Sequence, residues 1–354
     1  MLSEHMRSFW ISITKEILMS KNRKILIIGG AGYIGSHVIN LLGKEYSDQL
    51  IILDNLSSGR AEAVLFGKLV IGDIGDSRLL DKLFDTYNFE TVIHFAGSIV
   101  VPESTSNPLK YYDNNSMKSL MLLQMCKKYQ VNEFIFSSTA AVYGESNVGI
   151  FSEEMDARPV NPYGRSKYIF EQMLHDYAQS NDQFHYICLR YFNVAGANKN
   201  GKLGQSNPNS THLIKVVAEA ALGIRDSVTI YGQDFKTIDG TCIRDYIHVD
   251  DLAQAHLDCL NYLKENKTSN IFNCGNGKGY SVKEVIECMK YSCNVDFKVE
   301  IGSRRNGDSP IVMANPLKLK CLTGWRPKLI ELSTIVTSAF EWETCLKRKN
   351  QPNL

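Results

Sequence analysis

A tyrosine and a lysine stand four residues apart in the segment YGRSK, residues 163–167. Four residues make about one turn of an α-helix, so the phenol of Tyr163 and the ammonium of Lys167 would share one face. A nearby cation favours phenolate and lowers the pKa of a tyrosine. The pattern therefore indicates that Tyr163 is an acid/base usable near neutral pH, with Lys167 as its partner.

The same spacing arises by chance on many helices, where it is only a solvated pair. Here the segment Ser137-Ser138-Thr139 ends a predicted strand 24 residues before Tyr163. That interval is about what is needed to bring both segments into one cleft, where a hydroxyl at Thr139 can hydrogen-bond a reacting oxygen. The combination favours a catalytic site made of Tyr163, Lys167 and Thr139.

A second group of residues is typical of a dinucleotide site. Glycines 29, 32 and 35 follow an apolar run and open a helical pattern, and Asp54 ends the next apolar run. Glycines in this spacing allow a tight turn and a close approach of the backbone to a pyrophosphate, which then faces the helix N-terminus. An acid at Asp54 would bind an adenosine ribose and repel a 2′-phosphate, so we predict NAD rather than NADP. Asp73, at the end of the third run, is a plausible adenine contact.

These residues must be positioned by alternating strands and helices. Short apolar runs rich in β-branched residues alternate with helical patterns throughout the first half of the chain, which predicts an α/β fold with a doubly wound parallel sheet. Ligands bind at the carboxyl ends of the strands in such sheets. The predicted strands are Lys24–Ile28, Leu50–Leu53, Leu69–Ile71, Thr91–Phe95, Phe134–Phe136 and Tyr186–Tyr191.

The alternation breaks after Asn193, and a mixture of short strands, helices and polar loops follows. We predict a smaller mixed α/β substrate-binding lobe there. The expected organisation is an N-terminal tail over residues 1–22, a Rossmann domain over residues 23–192, and a lobe over residues 193–354, of which about 243–275 returns to the main sheet.

Composition restricts the class of partner. The 354 residues carry 39 basic and 38 acidic side chains, a formal net charge of +1. General nucleic-acid binding needs a basic surplus, so it is disfavoured. Charges interrupt every apolar run well short of a membrane span. The nine cysteines are an odd number with no C-x-x-C pair, which favours reduced thiols in a cytoplasmic protein over disulfides or a zinc site, and we predict no metal.

Ten stretches carry a resemblance to a known family. The chain resembles the extended short-chain dehydrogenase/reductase superfamily and, within it, the UDP-glucose 4-epimerases, from about residue 23 to residue 345. YYDNN and RDYIHVDDLA are far more specific than the glycine loop. The matching stretches are GGAGYIGSH (29–37), LDN (53–55), GDI (72–74), TVIHFAG (91–97), YYDNN (111–115), FIFSS (134–138), AVYG (141–144), NPYGRSK (161–167), LRYFNVAGA (189–197) and RDYIHVDDLA (244–253).

The resemblance implies a role for each matching residue. Thr139 and Tyr163 match the catalytic pair, with Lys167 beside them. The implied NAD-binding residues are Gly29, Gly32, Tyr33, Ile34, Gly35, Asp54, Asn55, Asp73, Ile74, Phe95, Ala96, Asn115, Ser137, Tyr163, Lys167 and Phe192. The implied substrate-binding residues are Thr139, Tyr163, Asn193, His212, Tyr231, Arg244, Arg305, Asp308 and Val312. Within that set, Arg244 and Arg305 would hold the diphosphate, which suits bidentate guanidinium groups.

The activity implied by the resemblance is a reversible oxidation at C4 of a UDP-hexose that interconverts UDP-glucose and UDP-galactose. Tyr163 would take the proton of the 4-hydroxyl while a hydride passes to NAD. The 4-keto sugar would turn over in the pocket and receive the hydride on its other face. The partners implied are a UDP-sugar and a second copy of the chain, in a homodimer formed through a four-helix bundle of helices at about 109–129 and 162–180.

Three positions depart from the family pattern. Ile99 and Val100 occupy a stretch where some members carry a lysine near the cofactor. His212 stands where many members have asparagine. Val312 falls where some epimerases have a bulky tyrosine that closes the hexose pocket, and a valine would leave room for an acetamido group. The sequence therefore raises the possibility of turnover of UDP-N-acetylglucosamine and UDP-N-acetylgalactosamine.

Other functions stay open at this point. A nucleotide-sugar 4,6-dehydratase would carry Asp-Glu directly after the hydroxyl residue, whereas Ala140 and Ala141 follow Thr139 here. A decarboxylase or 4-epimerase of the UDP-glucuronate or UDP-xylose type is harder to exclude. A non-catalytic dinucleotide sensor would tend to lose the tyrosine or the lysine, and both are present.

Overall fold

The structure, a computed structural model, describes residues 23–145, 149–208, 210–305 and 307–350. The predicted tail, residues 1–22, lies outside the described residues. The helices, labelled α1 to α11 in chain order, are Tyr33–Tyr46, Ser77–Thr86, Val101–Ser106, Pro108–Tyr111, Lys118–Lys128, Pro162–Gln179, Leu213–Ala221, Val249–Asn266, Val282–Cys293, Leu317–Thr323 and Leu332–Asn350.

Fourteen strands are assigned within the described residues. Labelled β1 to β14, they are Lys24–Ile28, Leu50–Asp54, Lys68–Ile71, Phe89–His94, Glu133–Thr139, Ile150–Phe151, His185–Tyr191, Asn193–Ala195, Val228–Tyr231, Ile243–His248, Asn270–Cys274, Gly279–Ser281, Val299–Gly302 and Ile311–Ala314.

Seven strands form the predicted parallel sheet, in the order β11-β7-β5-β4-β1-β2-β3. Strand β1 shows why the apolar runs are continuous. Ile25 and Ile27 pack into a core on one side of the sheet, and Leu26 and Ile28 pack into a core on the other side. Both faces of the strand are therefore covered, as a doubly wound fold requires.

The second half builds a smaller lobe on different sheets. Strands β12, β10, β14 and β6 form a mixed sheet, β8 pairs with β10, and β9 and β13 form a separate parallel pair. Helices α7, α9 and α11 pack on one apolar core with side chains such as Val217, Ile286 and Val336. This lobe faces the carboxyl ends of β1, β4, β5 and β7.

The segment of about 243–275 divides between the two sheets. Strand β11, at its end, joins the main sheet beside β7, and α8 packs against α1. Strand β10, at its start, instead pairs with β8, β12 and β14. The predicted return to the main sheet therefore holds for β11 but not for β10, which pairs only with strands outside the main sheet.

Two local predictions also need correction. The helical pattern from Leu109 to Tyr129 contains a π-helical stretch at Tyr112–Met117 between α4 and α5. The run of β-forming residues at Phe297–Ile301 also predicts a strand, but the strand in the structure begins at Val299 and ends at Gly302, where β9 supplies its partner. Among the described residues, no helix is long and apolar enough to cross a membrane.

Candidate active site

One cleft of about 1300 Å³ runs between the sheet and the lobe. We call its two sides the sheet-side wall, formed by the carboxyl ends of the main-sheet strands and the start of α6, and the lobe-side wall, formed by Tyr231, Arg244, Arg305, Asp308 and Val312. Every residue predicted from sequence lines this cleft except Asn115. Those on the sheet-side wall and at its junction with the lobe are Gly29, Gly32, Tyr33, Ile34, Gly35, Asp54, Asn55, Asp73, Ile74, Phe95, Ala96, Ser137, Thr139, Tyr163, Lys167, Phe192, Asn193 and His212.

The glycine loop is tight for steric reasons. Gly29 has a φ of +74°, and a Cβ there would come within 2.6 Å of the Ala96 nitrogen. A Cβ at Gly35 would come within 2.5 Å of the Gly29 oxygen. Gly32 is the N-cap of α1 and has no side chain that could accept a hydrogen bond from the first-turn N–H groups. The N–H groups at the start of α1 are therefore not capped by a side chain.

The carboxylate of Asp54 is fixed at the end of β2. Its two oxygens accept hydrogen bonds from the backbone N–H groups of Ala31 (2.9 Å) and Leu56 (2.8 Å). Asn55 donates to Asp73 (2.7 Å), and Lys118 forms an ion pair with the same carboxylate at 2.9 Å. Burial raises the pKa of Asp73, but the hydrogen bonds from Lys118, Gly75 and Asn55 outweigh it, and the pKa is lowered. Two anionic groups thus mark this end of the cleft.

Tyr163 and Lys167 reach the cleft from the first two turns of α6. The helix begins at Pro162, and the side chain of its N-cap, Asn161, accepts a hydrogen bond from Gly164 N–H at 2.8 Å. Capping and the fixed φ of proline set the start of the helix, so the spacing of four puts both side chains on the predicted face. Lys167 is only 2% exposed and donates to the Ser137 carbonyl at 2.9 Å.

The predicted lowering of the tyrosine pKa is wrong for this structure. Desolvation raises the pKa of Tyr163, and the interaction with the Thr139 hydroxyl offsets only part of the rise. The Lys167 ammonium is directed at the Ser137 carbonyl and lies over the Phe136 ring, 4.8 Å from its centroid. Burial also lowers the pKa of Lys167 to about 8, although the Glu171 carboxylate opposes this.

Asn115 does not line the cleft, contrary to the prediction of a cofactor contact. Its side chain donates to Ser98 O and Ser166 Oγ, each at 3.0 Å, and accepts from Ser98 N–H at 2.7 Å. The residue is 1% exposed and belongs to the π-helical stretch. It therefore ties the loop after β4 to α6 from behind the wall.

Charged side chains of the lobe-side wall pair with one another. Arg244 donates to the Ser309 carbonyl at 2.8 Å, and its other terminal nitrogen lies 3.6 Å from Asp308. Arg305 donates to Asp308 at 3.2 Å and stacks over the Tyr231 ring, 4.6 Å from its centroid. The two guanidinium groups thus converge on a single carboxylate, which leaves net positive charge at this wall.

Three further residues lie where the two walls meet. Asn193, at the start of β8, donates to the Asp245 carbonyl at 3.3 Å. Val312 pairs in register with Arg244, on neighbouring strands β14 and β10. His212 is the exposed N-cap of α7. The short strand pairings of the lobe bring these side chains to the cleft.

Sequence reasoning missed several residues of the lining. Ile99 and Pro102 follow the carboxyl end of β4, and that position on the sheet was a usable signal. Ser57 and Ser58 follow Asp54-Asn55 in the same way. No signal in the sequence pointed to the contributions of α7 and α11, because these helices meet the cleft only through packing within the lobe. Those residues are Lys215, Val216, Ala339, Trp342 and Glu343.

The lining fits an NAD molecule. The glycine cradle admits backbone-to-phosphate contacts that a Cβ would block, and the uncapped end of α1 offers N–H groups to a pyrophosphate. The Asp54 carboxylate, held at the tip of β2, suits a ribose diol. At the opposite end of the same wall, Lys167 and Tyr163 stand where a second ribose and a reactive ring would lie.

Comparison with known proteins decides the family. The model of the NAD dependent epimerase/dehydratase family matches residues 25–275. The chain belongs to this family.

Family relatives match nearly the whole chain. The UDP-glucose 4-epimerase of Halalkalibacterium halodurans is 46% identical over 319 residues, which cover 90% of this chain and 95% of that protein. The structure of the UDP-Glc/GlcNAc 4-epimerase of Campylobacter jejuni is 49% identical, with a TM-score of 0.81 over 91% of this chain and 99% of that one. The UDP-glucose 4-epimerase of Bifidobacterium longum, solved with NAD+ and UDP, is 35% identical, with a TM-score of 0.86 over 93% and 99% of the two chains.

Proposed function

We propose that this chain is an NAD-dependent 4-epimerase of UDP-hexoses that interconverts UDP-glucose and UDP-galactose. One observation carries the proposal: Tyr163, Lys167 and Thr139 lie in a single cleft between a glycine cradle and a wall that bears two arginines. Two relatives that match nine-tenths of the chain, at 46% and 45% identity, are UDP-glucose 4-epimerases.

We assign the cofactor to the sheet-side wall. Gly29, Gly32, Tyr33, Ile34 and Gly35 would surround the pyrophosphate. Asp54 and Asn55 would bind the adenosine ribose, and Asp73 and Ile74 the adenine. The remaining predicted contacts, which would lie along the ribose and nicotinamide, are Phe95, Ala96, Ser137, Tyr163, Lys167 and Phe192.

We assign the UDP-sugar to the lobe-side wall and the junction. Arg244 and Arg305 would bind the diphosphate, because guanidinium groups make charge-assisted bonds to phosphate oxygens. Tyr231 presents an aromatic face for uracil. Asp308, Asn193 and His212 supply polar groups for the nucleoside and the diphosphate, and the hexose would extend toward Tyr163.

The chemistry of the chain itself is a proton transfer at one oxygen. When bound, oxidised NAD supplies a hydride acceptor and a positively charged nicotinamide ring. Tyr163 Oη accepts the proton of the sugar 4-hydroxyl and later returns it to the same oxygen. The Thr139 hydroxyl, which acts to lower the pKa of Tyr163, stabilises the phenolate that accepts this proton and is restored when the proton is returned. The hexose would lie between the sheet-side wall and the lobe-side wall, where it can turn over without leaving the cleft.

The residues after Thr139 disfavour a dehydratase. Ala140 and Ala141 line the cleft at that point, where elimination of water would need an acid and a base. A non-catalytic role is disfavoured by the intact Tyr163, Lys167 and Thr139. A 4-epimerase of the uronate or xylose type has the same chemistry at C4 and differs only in the group carried on C5.

We extend the proposal to N-acetylated hexoses. Val312 lines the cleft beside Arg244, and its short side chain leaves room near the hexose for an acetamido group. The C. jejuni relative, 49% identical, is a UDP-Glc/GlcNAc 4-epimerase. Replacement of Val312 by tyrosine would fill this space and would leave the C4 chemistry untouched.

A substrate screen tests both parts. The purified holoprotein is incubated with UDP-glucose, UDP-galactose, their N-acetyl forms, UDP-glucuronate and UDP-xylose, and the products are separated. We expect interconversion within both hexose pairs. We expect Val312→Tyr to retain turnover of UDP-glucose and to lose at least tenfold on the N-acetyl pair. No turnover of either hexose pair would refute the function, and equal rates for the variant on both pairs would refute the role of Val312.

We also propose that the chain is a cytoplasmic homodimer. The nine cysteines, all within the described residues, are free thiols, which suits a reducing compartment. Leu109, Met117 and Ile169 are 77%, 54% and 38% exposed along α4, the π-helical stretch and α6. Two copies of this surface would bury it in a four-helix bundle. Sedimentation of the wild type and of Leu109→Glu tests the bundle: a dimer that the variant does not weaken would contradict it.

A further inference from the structure

Three residues on one face of α6 meet three consecutive residues of β5. Tyr163, Lys167 and Glu171 are each four positions apart, so they lie one above another on the helix. Lys167 donates to the Ser137 carbonyl at 2.9 Å, the Ser138 hydroxyl donates to the Glu171 carboxylate, and the Thr139 hydroxyl interacts with Tyr163. Glu171 is thus the third member of a row of which the proposed activity uses only two.

Glu171 is paired with an arginine deep under the cleft. Its oxygens accept from Arg190 Nη2 at 2.6 Å and from Arg190 Nε at 3.1 Å, and the two side chains are 0% and 5% exposed. Arg190 lies opposite Ser138 in the register of β7 and β5. Removal of two charges from water is costly, so a buried ion pair is weak grounds for stability. A role in holding a nearby charge is a better reason for it.

The Lys167 ammonium has few partners that favour its charge. Burial lowers its pKa to about 8, and the Glu171 carboxylate is the largest influence in the other direction, followed by the Cys188 thiol. From β4, His94 faces the same region, and its own pKa is lowered to about 3 by burial and by Lys167, so it is neutral. Arg190, from β7, is bonded to Glu171, and Tyr163 and Phe136 are the other neighbours.

We propose that Glu171, held by Ser138 and Arg190, is a positioning residue that keeps Lys167 charged at its place in the cleft lining. Glu171 does not touch substrate or cofactor. It acts through Lys167, and Arg190 sets how strongly it acts, because the guanidinium neutralises part of the carboxylate charge. This inference rests on the proposed epimerase activity for its kinetic consequence, but the charge of Lys167 can be measured without turnover.

The experiment measures the titration of Lys167 directly. The protein is labelled with 13C-lysine, the ε-carbon resonance of Lys167 is identified by its absence in Lys167→Arg, and its midpoint is followed from pH 6 to pH 11. We expect Glu171→Gln to lower the midpoint by about one pH unit or more. Arg190→Gln should raise it, since the opposing charge is gone. The double variant should fall between Glu171→Gln and the wild type.

Glu133→Gln is the matched control. Glu133 is a buried glutamate on β5, the strand that carries Ser137 and Ser138. It accepts a hydrogen bond from Thr91 at 2.5 Å and lies at the opposite end of that strand. Four positions of strand, about 13 Å, separate it from Ser137, whose carbonyl accepts the hydrogen bond from Lys167. It should leave the Lys167 midpoint unchanged whatever it does to stability.

The pH profile of kcat is the second readout. In Glu171→Gln the alkaline fall in kcat should move to lower pH with the NMR midpoint, and Glu171→Asp should restore part of it. A purely structural role would lower kcat equally at every pH.

The inference is overturned if Glu171→Gln and Arg190→Gln leave the midpoint of Lys167 where it is in the wild type, or if Glu133→Gln moves it as far. If Glu171→Gln does not fold, Arg190→Gln and the double variant decide by the same criterion. Absence of wild-type turnover would refute the proposed function, while the NMR titration would still decide the role of Glu171.

Discussion

The two walls of the cleft differ in how deeply their polar side chains are buried. On the sheet-side wall, Lys167, Thr139 and Ser137 are 2%, 8% and 9% exposed, and their polar atoms are bound to neighbouring backbone or side chains. On the lobe-side wall, the side chain of Arg305 is 51% exposed and Tyr231 is 43% exposed. The catalytic residues of the sheet-side wall are thus buried, whereas the lobe-side wall is charged and is most exposed at Arg305 and Tyr231, with Arg244 at 18%.

This difference separates chemistry from binding. A group that transfers a proton must be held in one place within a desolvated site, where neighbouring charges act strongly. A group that binds a diphosphate must first be reachable, and the arginines keep their charge at any ordinary pH. Changes in the sheet-side wall should therefore act on kcat, and changes in the lobe-side wall should act on KM.

The largest effect is expected for Tyr163→Phe. The variant removes the oxygen that accepts the proton and keeps the ring, so kcat should fall by roughly 10²–10⁴-fold, the range of general acid–base catalysis. Bound NAD, measured after denaturation of the purified protein, should be unchanged. Tyr177→Phe is the control, since Tyr177 is on the same helix but packs against the apolar core. A Tyr163→Phe enzyme with wild-type kcat would contradict the assignment of proton transfer to the sheet-side wall.

A smaller effect on a different constant is expected for Arg244→Met. Loss of the guanidinium removes charge-assisted bonds to the diphosphate, so KM for the UDP-sugar should rise about 10–100-fold with kcat nearly unchanged. Arg304→Met is the control, because Arg304 is bonded to Asp234 and stacks on Phe235. A fall in kcat without a rise in KM would contradict the assignment of substrate binding to the lobe-side wall.

The smallest effect is expected from alkaline pH. The pKa of Lys167 is about 8, below its ordinary value, so the ammonium is mostly charged at pH 7 and mostly neutral at pH 9. The positive charge of Lys167 is thus lost as pH rises, and kcat should fall roughly tenfold between pH 7 and pH 9. KM should stay constant over the same range, because the arginines do not titrate. A KM that rises with kcat unchanged would reverse the assignment.

The sheet-side wall was predictable from sequence for a physical reason. Buried parallel strands are continuous apolar runs, so the residues after them, such as Asp54, Asp73 and Thr139, are known to lie at one edge of the sheet. The glycine spacing and the spacing of Tyr163 and Lys167 are local and depend on one turn each. The positions of nearly all these residues in the structure agree with the prediction.

Elsewhere local pattern was insufficient. Strands β8, β10 and β14 meet through pairings between residues more than 50 positions apart, so Val312 comes beside Arg244 for reasons that no short segment contains. The pKa of Tyr163 depends on desolvation by the whole fold, which outweighs the hydrogen bond to Thr139. Asn115 was misplaced because a π-helical stretch turns it toward Ser98 and Ser166.

The proposed mechanism requires that the hydrogen on C4 of the hexose leaves and returns to the same carbon without exchange with solvent. The direct measurement uses UDP-glucose that carries deuterium at C4, incubated with the holoprotein in ordinary water, with the UDP-galactose formed analysed by NMR and mass spectrometry. We expect UDP-galactose that keeps the deuterium at C4, with no loss to solvent and no added NAD required. Product in which C4 carries hydrogen from water, or no UDP-galactose at all, would contradict it.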